Sequence, residues 1–355
     1  MAIYKEVMRQ DKKPKQEKLI GMKKIYVSII TFIVLLNAPE VMAQQEIQFT
    51  QYIFNTMSVN PAYAGYKEQW FAQMALRNQW AGLDGAPKTG QFSIDGIVSP
   101  MSRNVGLGLQ VTSDKLGPQS ATTVYMNYAY RIRLNEEDTK RLSFGLAAGL
   151  GQYGIDGSQF STVDGNDAAL LYADENVWKW NLRLGTYYYA PHWYAGVSVM
   201  NILGDGNYAI FNSDPDNYSV VQKRHLYFIT GAIFDLSATF KLRPSILVKD
   251  DFKGPTSLDA NAMLIFNERF WFGGSYRTGV HVWDRDYTGF SAKGPVSSNA
   301  ISGIVQFYIT ENLRIGYSYD YMLNDLGNEE NGSHELTLGY TFPLRGKRLL
   351  SPRFF

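Results

Sequence analysis

Residues 313–321 read LRIGYSYDY, and the order of these side chains decides the fold class. Leu313, Ile315, Tyr317, Tyr319 and Tyr321 fall on one side of an extended chain, and Arg314, Gly316, Ser318 and Asp320 on the other. Alternation with period two belongs to a strand that has one apolar and one wet face. The same pattern recurs in ELTLGYTF, where Leu336, Leu338, Tyr340 and Phe342 oppose Glu335, Thr337, Gly339 and Thr341. In VGLGLQVT, Val105, Leu107, Leu109 and Val111 oppose Gly106, Gly108, Gln110 and Thr112. In LSFGLAAGL, Leu142, Phe144, Leu146, Ala148 and Leu150 oppose Ser143, Gly145, Ala147 and Gly149.

Extended along the chain, this pattern predicts about fourteen strands near 69–78, 88–97, 105–113, 120–132, 140–152, 178–190, 192–202, 223–236, 242–250, 256–266, 269–278, 299–310, 312–322 and 333–343. Segments of about ten residues cross a membrane when tilted by about forty degrees. Segments 223–236 and 256–266 carry apolar residues on both faces, and Pro244 interrupts another. The connections 98–104, Pro191, 237–241, 267–268 and 311 are short, whereas 153–177, 203–222, 279–298 and 323–332 are long and polar. Turn 133–139 and loop 251–255 fit this alternation less cleanly. Short turns on one side and long loops on the other are the signature of a transmembrane antiparallel β-barrel with an even strand number, its short turns in the periplasm.

The chain ends agree with export. Lys23 and Lys24 precede an apolar run from Ile25 to Leu36, and Val41 and Ala43 present small or short side chains for cleavage after Ala43. A run of that length is too short for a spanning helix, which needs roughly twenty residues. Residues 1–21 are expected to lie upstream of a true start at Met22, leaving a mature chain from Gln44. The whole chain has 34 Lys and Arg against 33 Asp and Glu; eight of the former and four of the latter lie in residues 1–43, so the mature chain is near neutral at −3. No basic run offers a footprint for nucleic acid. The absence of cysteine excludes disulfides, thiolate metal sites and a lipid-anchored N-terminus. Aromatic residues make up 14% of the chain, as interfacial girdles require. A wet lumen and polar loops account for the mean hydropathy of −0.23.

Motifs that suggest chemistry fail on context. Gly149 to Gly154, GLGQYG, has the spacing of a dinucleotide-binding turn, but the polar run IDGSQFSTVDGND follows it and no helix starts there. Its glycines extend a small-residue strand face, with a steric role in a crowded wall or lumen. His192, His225, His281 and His334 are dispersed, and in Ser333-His334-Glu335 the histidine leaves the face shared by its neighbours. Asp156, Asp164, Asn166, Asp167 and Asp174 in loop 153–177 could supply oxygen ligands to Ca²⁺, without EF-hand spacing. Trp178 and Trp180 are expected on different faces, so that one serves a girdle. No cofactor is expected.

A longer stretch, residues 48–96, carries Asn60-Pro61-Ala62-Tyr63-Ala64-Gly65 and then Arg77, Gln79, Trp80, Gly85, Pro87 and Thr89. With VGLGLQV, LSFGLAAGL, LRPSILVK, YSYDY and SHELTLGYTF in order behind it, the chain resembles the PorP/SprF family of type IX secretion system outer-membrane proteins from Gln44 to Phe342. The resemblance implies a non-enzymatic outer-membrane barrel that assists secretion or surface attachment of a cargo protein, in some members a gliding adhesin, alongside periplasmic machine subunits. The candidate partner-binding or structural motif comprises Asn60, Pro61, Ala62, Tyr63, Gly65, Arg77, Trp80, Pro87, Thr89, His334 and Glu335. By turn chemistry alone, Asn60 starts a turn, Pro61 fixes φ and Gly65 takes a positive φ, making a rigid corner before strand one. Such a corner either caps the barrel floor or forms a docking surface.

The expected layout is a leader over 1–43, an N-terminal periplasmic segment over 44–68, a barrel over 69–343 and a periplasmic tail over 344–355. Tyr340 and Phe342 are expected in the strand read by the assembly machinery. A passive channel for small solutes or lipids is the rival function, and a barrel hydrolase a weaker third.

Overall fold

A computed structural model describes residues 48–156, 176–204, 207–209, 219–221, 223–252, 256–280, 282 and 299–343. The leader, most of loop 153–177 with its candidate Ca²⁺ ligands Asp164, Asn166, Asp167 and Asp174, His281 and the tail 344–355 lie outside them.

Fourteen strands form one antiparallel barrel. They are β1 (Phe71–Asn78), β2 (Lys88–Ile97), β3 (Val105–Leu116), β4 (Gln119–Arg133), β5 (Arg141–Ile155), β6 (Asn176–Tyr189), β7 (Trp193–Met200), β8 (His225–Ala232), β9 (Phe240–Asp250), β10 (Thr256–Phe266), β11 (Phe270–Val280), β12 (Ala300–Tyr308), β13 (Leu313–Met322) and β14 (Ser333–Thr341). Each pairs with its neighbours in sequence, and β1 closes the ring on β14 from Phe71↔Thr341 to Asn78↔His334. Residues 207–209 and 219–221 make a separate small hairpin.

The strands expected at 88–97 and 256–266 occupy those residues. The segment 223–236 is broken at Ile233, before a two-residue continuation at Phe234–Asp235. The cause lies across the sheet. Pairing of β8 with β9 stops at Gly231↔Ser245 and resumes at Phe234↔Leu242, skipping Pro244, which has no N–H to give to the ladder.

One end of the barrel carries the turns 98–104, 134–140, 190–192, 267–269 and 309–312, so the ambiguous turn near 133–139 belongs with the short ones. The other end carries the connections between β5 and β6, β7 and β8, β11 and β12, and β13 and β14. The short loop before β10 lies there too, as does a two-residue hairpin at Gly117-Pro118.

Burial is inverted relative to a water-soluble sheet. Outward positions are apolar and open: Met74, Leu76, Met126, Phe144, Leu146, Ile315, Tyr317, Leu336 and Leu338. Inward positions are polar or charged and buried: Gln73, Arg77, Asn127, Arg131, Ser143, Arg314, Ser318, Asp320 and Glu335. Such a wall stands in lipid and encloses a polar interior. Trp178 and Trp180, expected on different faces, both point outward at 58% and 71% exposure. Two residues apart in a strand, they share a face.

Met126 is 72% exposed near the middle of β4. Met126→Lys should destabilise the barrel by about 2–4 kcal/mol, the cost of a cation at the bilayer midplane. Denaturant unfolding in lipid vesicles measures this, and an unchanged midpoint would contradict the assigned lipid face.

Candidate functional site

The segment before β1 is expected in the periplasm, yet its described part lies inside the barrel. Every residue from Phe49 to Tyr66 except Ser58 is buried, and their partners are the inward side chains of the strands. The composition explains the placement. Phe49, Tyr52, Ile53, Phe54, Met57, Val59, Tyr63 and Tyr66 need cover from water, while Thr50, Gln51, Asn55 and Asn60 match a polar wall. Three single-turn 3₁₀ helices, Tyr52–Phe54, Thr56–Ser58 and Pro61–Tyr63, fold the segment into a plug.

The plug is latched at the long-loop end by ion-paired strand residues. Arg77 on β1 reaches Asp320 on β13 at 2.7 Å and Glu335 on β14 at 3.1 Å, all three nearly inaccessible to solvent. The Thr50 hydroxyl donates to Asp320 at 2.6 Å and accepts from Arg77 at 2.9 Å. Glu335 also accepts the backbone N–H groups of Thr50 at 2.8 Å and Gln51 at 3.1 Å. Gln51 extends the latch by donating to the Glu335 carbonyl and accepting from Thr337. Close by, Asp259 on β10 holds both Lys249 at 2.8 Å and Arg277 at 2.6 Å. These six buried charges persist because each lies against an opposite partner.

Lower in the lumen the wall recognises plug backbone. Arg314 donates to the Phe54 carbonyl at 2.9 Å and Arg243 to the Ile53 carbonyl at 3.3 Å. Ser143 donates to the Ala62 carbonyl at 2.7 Å, and Ser198 to that of Val59. Two wall glycines make this approach possible: a Cβ on Gly145 would lie 2.1 Å from the Ala62 nitrogen, and one on Gly106 2.0 Å from the Ala64 oxygen. The glycines of the small-residue strand face thus clear space for the plug.

Asn60-Pro-Ala-Tyr-Ala-Gly65 is the lower half of the plug, within the lumen and not beneath the barrel floor. The Asn60 side chain caps Pro61–Tyr63 by accepting the Ala62 N–H at 2.9 Å, while its amide donates to the Thr186 carbonyl of β6 at 2.9 Å. Tyr63 and Tyr66 stack at 4.9 Å and meet Tyr187 and Tyr189 edge-on. Gly65 has the expected positive φ, 75°, and donates its N–H to Asp95 at 2.8 Å. Glu68 then pairs with Arg131 at 3.2 Å as the chain leaves for β1.

The remaining motif residues gather at the opposite, long-loop end. The Trp80 N–H donates to Ser333 at 3.0 Å, and the Pro87 carbonyl accepts the Gln79 N–H at 3.0 Å, folding the β1–β2 connection over Arg77 and Glu335. Thr89 bonds Asp114 at 2.5 Å. His334 faces outward and shares a 2.7 Å hydrogen bond with the Tyr317 hydroxyl, apart from Ser333 and Glu335, which are buried on the inner face. The motif is therefore divided between the two ends of one plug. In GLGQYG, a Cβ on Gly149 would meet the Tyr125 ring at 2.3 Å, so that glycine accommodates an aromatic neighbour. Among the described residues no three His, Asp or Glu are grouped to hold a metal ion.

The motif missed Thr50, Gln51, Asp320, Arg243 and Arg314. Strand parity already sets Arg314 and Asp320 on the wet face, and a charged residue on the inward side of a strand is the signal that could have flagged them.

Glu335→Ala removes the acceptor of two plug amides and a partner of Arg77. Loss of one partner from a buried pair costs about 3–5 kcal/mol, so hydrogen exchange at the Thr50 and Gln51 amides should accelerate by at least about tenfold. Mass-resolved exchange reads this, and unchanged protection would show the latch to be idle.

Solved structures that align with the chain include three that are distant from it in sequence. The Acinetobacter baumannii outer membrane protein Omp33 is 11% identical, covering 78% of this chain and 100% of its own, with a TM-score of 0.42. The CymD monoaromatic hydrocarbon channel is 11% identical over 83% of this chain and 93% of its own, with a TM-score of 0.47. A mutant of Rh. blastica porin is 7% identical over 77% and 99%, with a TM-score of 0.33. No curated relative matches the chain. The family described as type IX secretion system membrane protein PorP/SprF matches residues 41–340, and the chain belongs to that family.

Proposed function

We propose that this outer-membrane barrel is a non-enzymatic, protein-binding component of the type IX secretion machine, assisting the export or surface attachment of a cargo protein such as a gliding adhesin. Periplasmic subunits of the machine would meet it at the short-turn end. The mature chain on this reading begins at Gln44, after cleavage behind Ala43, and residues 344–355 extend into the periplasm.

Beside the family membership, one observation carries the proposal: the lumen is filled with polypeptide. Fourteen-stranded barrels enclose a wide interior, and an open channel would wet its inner wall. Here Ala129, Ala147, Tyr194, Met263 and Ile265 on that wall are at most 1% exposed, as are Gln51, Ile53, Asn60 and Ala64 of the plug. This filling disfavours a passive channel for solutes or lipids. It also supplies a wall suited to polypeptide, through guanidinium and hydroxyl donors aimed at backbone carbonyls.

Deleting the protein from its own cell should abolish surface display of one exported protein while small-solute permeability stays normal. In planar bilayers the full chain should conduct little, and a variant lacking 48–66 should conduct far more. Solute-blocked conductance from the intact chain, with display unaffected by deletion, would instead favour the channel.

A further inference from the structure

Two lysines meet on the outer side of the wall near the long-loop end. Lys88 on β2 is the direct cross-strand partner of Lys115 on β3. Both are exposed, and parity turns them away from the lumen, where their neighbours Thr89 and Asp114 bond each other. Side chains directly opposite in an antiparallel pair lie close, and like charges there repel. Among the described residues neither lysine is in an ion pair, whereas Lys241 at the short-turn end lies against Asp235 and Glu268. The cross-strand row continues through Asn78 on β1, opposite Lys88, and His334 on β14, opposite Asn78. It offers cations and hydrogen-bond donors, and no acid.

Asn78, Lys88 and His334 edge an open groove of about 520 Å³ on this face. The next outward row along the strands, Leu336, Leu76, Gly90 and Ser113, supplies its apolar and small-residue lining. Gly90 makes the gap. A Cβ there would meet the Leu76 side chain at 3.6 Å, an ordinary contact, so the packing of the described residues does not require a glycine. Gly106 and Gly145 differ, since each clears space for the plug. The carboxylate that borders the groove among the described residues belongs to Glu335, which turns inward to Arg77 and the amides of Thr50 and Gln51. It is therefore not presented to the two lysines.

We propose that this groove binds a phosphorylated lipid of the outer leaflet, with its phosphate at Lys88 and Lys115 and an acyl chain in the gap at Gly90 beside Leu76. The occupant follows from place and charge. An outward groove on a wall that stands in hydrocarbon is filled by lipid. At its edge the apolar side chains give way to Asn78 and Lys88, and basic side chains at that level attract anionic headgroups. A phosphate set against both lysines also relieves their mutual repulsion. The inference rests on the assigned lipid face and is independent of the secretion reading.

Native mass spectrometry of the full mature chain released from detergent micelles tests the site, with folding checked by heat-modifiable gel mobility. The probes are dimyristoyl phosphatidic acid, dimyristoyl phosphatidylcholine, which has the same tails without net charge, and inorganic phosphate as a competitor. Phosphatidic acid should bind at least about tenfold more tightly than phosphatidylcholine, the worth of two lysines beside an anionic headgroup. The preference should shrink as salt rises. Joint Lys88→Gln and Lys115→Gln substitution should erase it and leave folding intact, since both side chains are exposed. Gly90→Leu should weaken phosphatidic acid binding with both lysines in place; if that variant does not fold, the lysine variant and the two-lipid comparison decide. Equal binding of the two lipids, no binding, or a preference that survives the lysine substitutions would overturn the proposal. So would binding indifferent to Gly90→Leu in a folded variant, which would leave the groove without a role. Displacement of the lipid by an equal concentration of inorganic phosphate would assign a free-anion site instead, and lipid found only on a dimer would assign this face to a second copy of the chain; either result overturns it.

Discussion

A peptide group placed in hydrocarbon has no water to bond, and this constraint governs the whole molecule. Every strand that crosses the membrane must find two partners, so the sheet closes on itself through β1 and β14. Closure divides the side chains into two sets by parity alone. One set meets lipid and is apolar; the other meets the interior and, with no lipid to satisfy, is free to be polar. Glu335 and Leu336, adjacent in sequence, show the result: one is 1% exposed beside an arginine, the other 44% exposed.

The interior then raises a second problem. Fourteen strands enclose more volume than their own inward side chains can fill, so the lumen must hold either water or polypeptide. This chain uses its own N-terminal segment. A plug in such a place cannot be held by apolar contact alone, because the wall that lipid and parity have produced is polar. The contacts follow from that: arginine to carbonyl, carboxylate to backbone N–H, hydroxyl to carboxylate. Apolar packing is left to the tyrosines around Tyr187 and to Phe54 against Trp271, at a ring separation of 5.5 Å. Glycines at 106 and 145 bring the two backbones close enough for those contacts.

The barrel was legible because its signal is local and repeated. Alternation along LRIGYSYDY assigns each side chain to a face without knowledge of its neighbours, and the arrangement of short and long connections confirms the direction of successive strands. The local chemistry of Asn60 to Gly65 was legible too, as a capped turn ending in a positive φ. Its location was not. Where a short segment of single-turn helices settles depends on complementarity with Ser143, Ser198, Arg243, Arg314 and Glu335, which come from five strands distant in sequence, and no period along residues 48–66 encodes that. The break at Ile233 was hidden for a similar reason, since it answers to Pro244 on the neighbouring strand.

The position of the upper latch connects fold and assembly. Thr50 is gripped by Asp320, Glu335 and Arg77, which belong to β13, β14 and β1, the strands on either side of the closing seam. Arg77 and Glu335 are direct partners across that seam. The latch therefore does not exist until the first and last strands have paired. The lower contacts, to Asp95, Ser143 and Thr186, use β2, β5 and β6 and need no closure. A plug that docked first at Asn60–Gly65 and was then fixed at Thr50 would be enclosed by the same event that completes the wall. The charged pair at the seam would then reward closure twice, once in joining β1 to β14 and once in fixing the segment inside.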